Sequence, residues 1–304
     1  EHYKVTHLTR NGNGRMSINS DSIYAIYQDR RGYVWLGSYG NGLCRTLTPH
    51  TGVQGFVTVG SGKGFNKIRC ITESKDGTLI AGTTDGILTV DTRGKGTPKT
   101  YRNSFRNEPW GLKGNDIMKI LHAGGRIYAC VYGSGISEIV SGNLLSDSLH
   151  FRNHMITTQS TADQIMTATV HGKDIWLASE QAISRFSTTS GTFSVFGRSM
   201  FAGSFNFSEA TPITDGNEIT FGTSEGTLTF NANDERTTRD KQKIVFTGIQ
   251  YQNDMSIHPL NDIRELTIGP DERSFSLYMS SLDCMNNRET RYRYILEGYD
   301  NGWN

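Results

Sequence analysis

Ile23-Tyr24-Ala25-Ile26-Tyr27-Gln28-Asp29-Arg30-Arg31-Gly32-Tyr33-Val34-Trp35-Leu36-Gly37, followed by Gly40-Asn41-Gly42-Leu43, is the clearest statement of the fold in this chain. Two short runs of aliphatic and aromatic residues flank a Gly-bearing turn, and a third run opens after a second group of glycines. Runs of this length between Gly-rich reversals read as strands of a meander. No segment between the glycines sustains the i, i+3, i+4, i+7 spacing of a helix.

The unit returns four times. The second copy has Ile68 and Ile71, the turn Asp76-Gly77, Leu79-Ile80-Ala81-Gly82 and Asp85-Gly86-Ile87. The third has Ile117 and Ile120, Gly124-Gly125, Ile127-Tyr128-Ala129-Cys130 and Gly133-Ser134-Gly135-Ile136. The fourth has Ile165, Gly172-Lys173-Asp174, Ile175-Trp176-Leu177-Ala178 and Ala182-Ile183, and the fifth Asp215-Gly216-Asn217, Ile219-Thr220-Phe221-Gly222 and Glu225-Gly226-Thr227-Leu228. The small residues Gly37, Gly82, Cys130, Ala178 and Gly222 are spaced by 45, 48, 48 and 44 residues, the period of a four-stranded propeller blade. A small side chain there lets adjacent blades approach closely. The aliphatic positions Val34, Leu79, Ile127, Ile175 and Ile219 face a packed layer, and Trp35 and Trp176, which share a repeat position, belong between blades.

The bulk of the 304 residues agrees: 34 glycines, six prolines, 13 Tyr and 14 Phe suit pleated strands joined by tight turns. A net charge of +1, from 31 basic and 30 acidic side chains, gives no field to gather nucleic acid or anionic lipid. No apolar run approaches the roughly 18 residues of a membrane helix, and Glu1-His2-Tyr3-Lys4 opens no apolar signal segment, so the chain reads as soluble and as excised from something larger. Cys44, Cys70, Cys130 and Cys284 are too scattered for a metal or redox motif and read as small buried apolar residues.

The first copy resembles the regulator-propeller repeat of hybrid two-component systems in Gln28-Asp29, Gly32, Val34-Trp35-Leu36-Gly37, Gly42-Leu43 and Arg45; the later copies are degenerate. The end of the chain, Tyr292-Arg293-Tyr294-Ile295-Leu296-Glu297-Gly298-Tyr299-Asp300-Asn301-Gly302-Trp303, is similar to the triple-tyrosine domain that follows such propellers, with Tyr292, Tyr294 and Tyr299 as its tyrosines. The expected architecture is all-β: propeller blades, each a four-stranded antiparallel sheet, over residues 1–232, as part of a larger propeller; a polar linker over 233–243; and a truncated immunoglobulin-like sandwich over 244–304. Its strands are expected at Ile244-Val245-Phe246, Leu266-Thr267-Ile268 and Phe275-Ser276-Leu277-Tyr278-Met279, with a turn at Gly269-Pro270-Asp271.

The resemblance implies a periplasmic input region of an inner-membrane hybrid sensor kinase. Such a region detects glycan-derived oligosaccharides, pairs as a homodimer through propeller and triple-tyrosine domain, and meets the membrane only through a C-terminal helix outside this chain. No catalytic residue, cofactor or metal is expected. The candidate ligand-binding residues lie in loops on one propeller face: Trp110, Tyr39, Asn41, Tyr132, Glu180 and Glu225, because a ring stacks on the C–H face of a sugar while amides and carboxylates meet its hydroxyls. Against this, turn loops are polar in any protein.

Other motifs give less. His150 and His154 are four apart in a strand-like context, unsuited to chelation. Gly60-Ser61-Gly62-Lys63-Gly64 lacks the leading glycine of a phosphate loop, with Val57 in its place. Asp29-Arg30-Arg31-Gly32-Tyr33-Val34-Trp35 has two residues between Asp and Gly where the turn of glycan-cleaving propellers has one, and no acid and nucleophile pair accompanies it. A protein-interaction scaffold and a divergent glycan-cleaving propeller stand as the alternative functions.

Overall fold

A computed structural model describes residues 5–12, 14–49, 54–60, 67–93, 97–104, 108–156, 163–180, 182–196, 206–233, 244–260, 265–270, 272, 274–281, 292–300, 302 and 304. Cys284, Gln181, most of Gly60–Gly64 and nearly all of the expected linker lie outside these residues. The chain divides into two compact units: the described residues up to Ala232 belong to the first and those from Asn233 on to the second.

Five propeller blades make up the first unit, each a meander of consecutive antiparallel strands. Blade one has β1 (Ile23–Gln28), β2 (Val34–Ser38), β3 (Leu43–Thr46) and β4 (Phe56–Gly60); blade two has β5 (Ile68–Glu73), β6 (Thr78–Thr83), β7 (Gly86–Asp91) and β8 (Lys99–Tyr101). Blade three has β9 (Ile117–Ala123), β10 (Arg126–Val131), β11 (Gly135–Ile139) and β12 (Phe151–His154), and blade four has β13 (Ile165–His171), β14 (Asp174–Ser179), β15 (Ile183–Ser187) and β16 (Thr192–Phe196). Among the described residues the fifth has three strands, β17 (Ile213–Asp215), β18 (Glu218–Thr223) and β19 (Gly226–Asn231), where the period predicts four. The first strands β1, β5, β9, β13 and β17 touch in succession and form the inner side of the arc.

The small anchor residues do what their size predicts. A Cβ on Gly37 would lie 2.6 Å from Cγ2 of Ile68, the first residue of the next blade, and one on Gly82 would lie 2.8 Å from Cγ2 of Ile117. Ile68 and Ile117 therefore seat on the anchors of the preceding blades, and a larger side chain at either anchor would push those blades apart. Trp35 and Trp176 are both 1% exposed. Trp35 Nε1 donates to Asp29 Oδ2 at 2.8 Å, while Asp29 Oδ1 accepts from the backbone N–H of Arg31 and Tyr33. Gln28-Asp29-x-x-Gly32 is thus a self-capped turn, with Gly32 at φ 84°, that also satisfies the buried indole. Cys44 and Cys130 are buried and Cys70 half-buried; all three are free thiols that burial pushes above their ordinary pKa, as core residues should be.

In blade five Phe221, Ile219 and Phe207 are buried, and Phe230 packs on Trp176 of blade four at 5.1 Å between ring centroids. The other face presents Glu218, Thr220 and Thr229, the two hydroxyls bonded at 2.8 Å. The second unit holds a three-stranded antiparallel sheet, with β20 (Val245–Tyr251) between β21 (His258–Pro259) and β22 (Phe275–Ser280). Leu266-Thr267-Ile268 is not a strand, because no neighbour pairs with it among the described residues. Of the expected turn Gly269-Pro270-Asp271, Asp271 lies outside the described residues; Glu272 N–H donates to Gly269 O and its carboxylate accepts from Gly269 N–H. Tyr292 and Tyr294 lie in a segment that is likewise not a strand, and with Tyr299 they are exposed. Tyr294 and Asn304 exchange both backbone hydrogen bonds around the turn at Leu296–Asp300. Among the described residues no helix is long and apolar enough to cross a membrane.

Candidate functional site

The second residue of the inner strand is a bulge in all four complete blades. Ile23 pairs with Ser38 and Ala25 with Gly37, leaving Tyr24 as the extra residue; Arg69, Met118 and Met166 stand in the same place in blades two, three and four. A bulge re-aims the side chain it carries. Blade five exaggerates the device: Phe207 bridges to Thr223 and Ser208 N–H reaches Gly222 O, but pairing resumes only at Ile213 with Thr220. Residues 209–212 thus stand opposite the single residue Phe221, and this long bulge crosses the inner face of the arc.

Its contacts reach every other blade. Glu209 accepts from Tyr24 Oη of blade one and, at 2.8 Å, from Arg69 of blade two; Thr211 Oγ1 accepts from Lys119 Nζ of blade three at 2.9 Å; and Ala210 O accepts from Thr167 Oγ1 of blade four at 3.0 Å. Arg69 turns its remaining donors on Asp116, at 2.8 and 3.2 Å, in a bidentate fork. Burial alone would lower the pKa of this guanidinium, and the two carboxylates outweigh it and raise the pKa. Burial, reinforced by the Glu209 carboxylate, pushes Tyr24 up to about 12, so its hydroxyl stays protonated and donating. Lys119 is lowered by burial.

Around this network aromatic rings remain open to solvent: Tyr24 is 46% exposed, Tyr39 44% and Tyr132 38%. Tyr39 leans on Tyr24 with 5.8 Å between centroids, and Lys67 Nζ stands 4.7 Å over its ring. Tyr132 is tied in by its N–H, which donates to Asp116 O at 2.9 Å. This side of the inner strands, with exposed rings beside a fixed set of donors and acceptors, is termed the axial mouth. A polyol with an apolar C–H face matches both elements.

Of the six residues the sequence singles out, Tyr39 and Tyr132 belong to this mouth. Asn41 serves the turn after β2, its N–H on Ser38 Oγ and its carbonyl on Asn19 Nδ2. Glu180 O accepts from Phe207 N–H at 3.4 Å, beside the start of the long bulge, and Glu225 N–H donates to Thr223 Oγ1. Trp110 is not in the network: it lies along the outer strand β12, 44% exposed, with its ring 4.7 Å from that of His150. His154 instead packs on Phe186, so the two histidines serve different places. Tyr24, Arg69, Asp116, Lys119 and Glu209 escape the sequence reading. A polar or bulky residue second in an otherwise apolar inner strand was the available signal for Tyr24 and Arg69.

Residues 17–40, which contain the Asp29–Trp35 turn, match the family model described as two component regulator propeller. Among solved structures, the extracellular domain of a protein described as a hybrid two component system from B. thetaiotaomicron superposes with a TM-score of 0.64 at 18% identity, over 93% of this chain and 38% of that one. The extracellular domain of a protein described as a one component system from the same organism gives 0.42 at 16% identity, over 93% and 50%. At such identities the likeness to the first is one of fold, and the chain spans half or less of either structure. No curated protein matches the chain.

Proposed function

We propose that this chain is a ligand-sensing part of the periplasmic region of a hybrid two-component sensor, and that glycan-derived oligosaccharides bind at the axial mouth. The observation that carries the reading is the regulator-propeller match at residues 17–40, where the motif residues Asp29, Gly32, Trp35 and Gly37 each have a structural task. The mouth supports the ligand class: Tyr39 and Tyr132 supply stacking faces, and Arg69, Asp116, Glu209 and Tyr24 supply directional hydrogen bonds. A sensor of this kind acts by binding its ligand better in one arrangement of paired regions than in another, and passes that difference through the tyrosine-bearing second unit to a membrane helix.

Calorimetric titration of the chain with a panel of neutral oligosaccharides tests the reading. One saccharide class should bind, and Tyr39→Ala and Tyr132→Ala should each weaken it roughly tenfold, the size of a lost ring contact and its buried area. Absence of binding across the panel points instead to a protein-interaction scaffold, and release of new reducing ends points to a glycan-cleaving enzyme.

A further inference from the structure

On the opposite face of the propeller, between blades two and three, the turn Ser74–Asp76 and the hairpin Gly124-Gly125 enclose a cleft of ≈ 280 Å³ that none of the foregoing uses. Ile127, Ile139 and Leu144 form its apolar floor; Lys75, His122, Asp76 and Ser141 stand around it. The charges on this rim are unequally satisfied. Asp76 is held by Ser74 Oγ and by the N–H and hydroxyl of Thr78, which keep its carboxyl below the usual range. The Arg30 guanidinium, reaching over from blade one, is committed to Lys75 O, Ser74 O and Glu73. The Lys75 ammonium makes no hydrogen bond or ion pair among the described residues. His122 touches Thr72 Oγ1 through Nε2 at 3.1 Å, and its own hairpin's Arg126 is turned to Glu138.

We propose that this cleft binds a small organic anion: a carboxylate, held by Lys75 and His122, on a ring-sized body whose apolar face lies on Ile127, Ile139 and Leu144. The field at the imidazole agrees. Burial lowers the His122 pKa first, and the charges of Arg30 and Lys75 lower it further. A bound anion relieves that repulsion and invites the proton back. The volume is enough for one pyranose ring. The site is separate from the axial mouth and does not depend on what binds there.

D-glucuronate and D-glucose differ at a single ring substituent, a carboxylate against a hydroxymethyl group, and are the probes. Titrated into the full chain and followed by NMR or calorimetry, glucuronate should bind with a dissociation constant on the order of 1 mM, as a small ligand in an open cleft does, and glucose at least tenfold more weakly. Lys75→Gln, a change at an exposed side chain, should cost about tenfold in glucuronate affinity, the loss of one charged hydrogen bond. Lowering the pH from about 7.5 to 5.5 should tighten wild-type binding as His122 takes up its proton, an effect His122→Gln removes. Acetate or inorganic phosphate binding as tightly as glucuronate would remove the ring from the proposal. Equal affinity for glucose, no binding of glucuronate, or an unchanged affinity in Lys75→Gln would overturn it. Neutral oligosaccharides are titrated separately, so failure here leaves the axial reading to its own test.

Discussion

The two faces of the propeller are held together differently. On the turn face the bonds run from side chains to nearby or next-blade backbone: Asp29 to the amides of Arg31 and Tyr33, Arg30 to the carbonyls of Ser74 and Lys75, Arg31 to Thr92 O, Thr92 Oγ1 to Gly77 O, and Thr188 Oγ1 to Lys173 O. On the axial face charged and phenolic side chains from distant blades bond to one another, with Glu209 reaching residues 140 and 185 positions away, beside fewer bonds to hydroxyl and backbone groups. Backbone partners fix a turn whatever the rest of the chain does. Side-chain partners gathered from several blades exist only when the whole arc is formed, and they leave donors and rings exposed to a ligand. The first face is held mainly by backbone partners and the second mainly by side chains, and the comparison can be broken or sharpened by substitution.

Trp35→Ala should have the largest effect. It empties a fully buried ring site and strips Asp29 of its indole partner, so urea denaturation should show a loss of about 3–5 kcal/mol. Arg69→Met comes next. It leaves Asp116 and Glu209 facing each other without their cation, and because both carboxylates are partly exposed the loss should be about 1–2 kcal/mol, partly recovered in the double variant Arg69→Met/Glu209→Gln. If the two changes simply add, Glu209 does not tie blade five to blade two. Tyr39→Ala should move stability by less than about 1 kcal/mol, since the ring is exposed, and show its effect in ligand affinity. The smallest effect is on acid tolerance. His122 has a folded pKa below its unfolded value near ~6.5, so its neutral form contributes stability that is present above that value and lost as the pH falls toward the folded pKa. Denaturation midpoints measured between about pH 7.5 and 5 should therefore fall less steeply in His122→Gln than in the wild type.

What could be read from the sequence follows the same division. The hairpins, the anchors Gly37 and Gly82 and the buried Trp35 and Trp176 are local or periodic, and a single repeat displays their chemistry. The side of the propeller on which Tyr39 and Tyr132 lie was legible because turn loops after a known strand have a known side. Glu209 was not, because Phe207-Ser208-Glu209-Ala210 carries no repeat signal and its partners Tyr24 and Arg69 look, one blade at a time, like ordinary residues between isoleucines. Leu266–Ile268 has strand composition without a pairing neighbour among the described residues, and composition alone does not supply one.

A crystal structure of the chain with the tightest-binding oligosaccharide of the panel would be the most direct test of the division. The sugar should lie on the axis with a ring face against Tyr39 or Tyr132 and hydroxyls within about 3 Å of Arg69, Asp116 or Glu209. A sugar seated elsewhere, with those side chains still bonded only to one another, would contradict it.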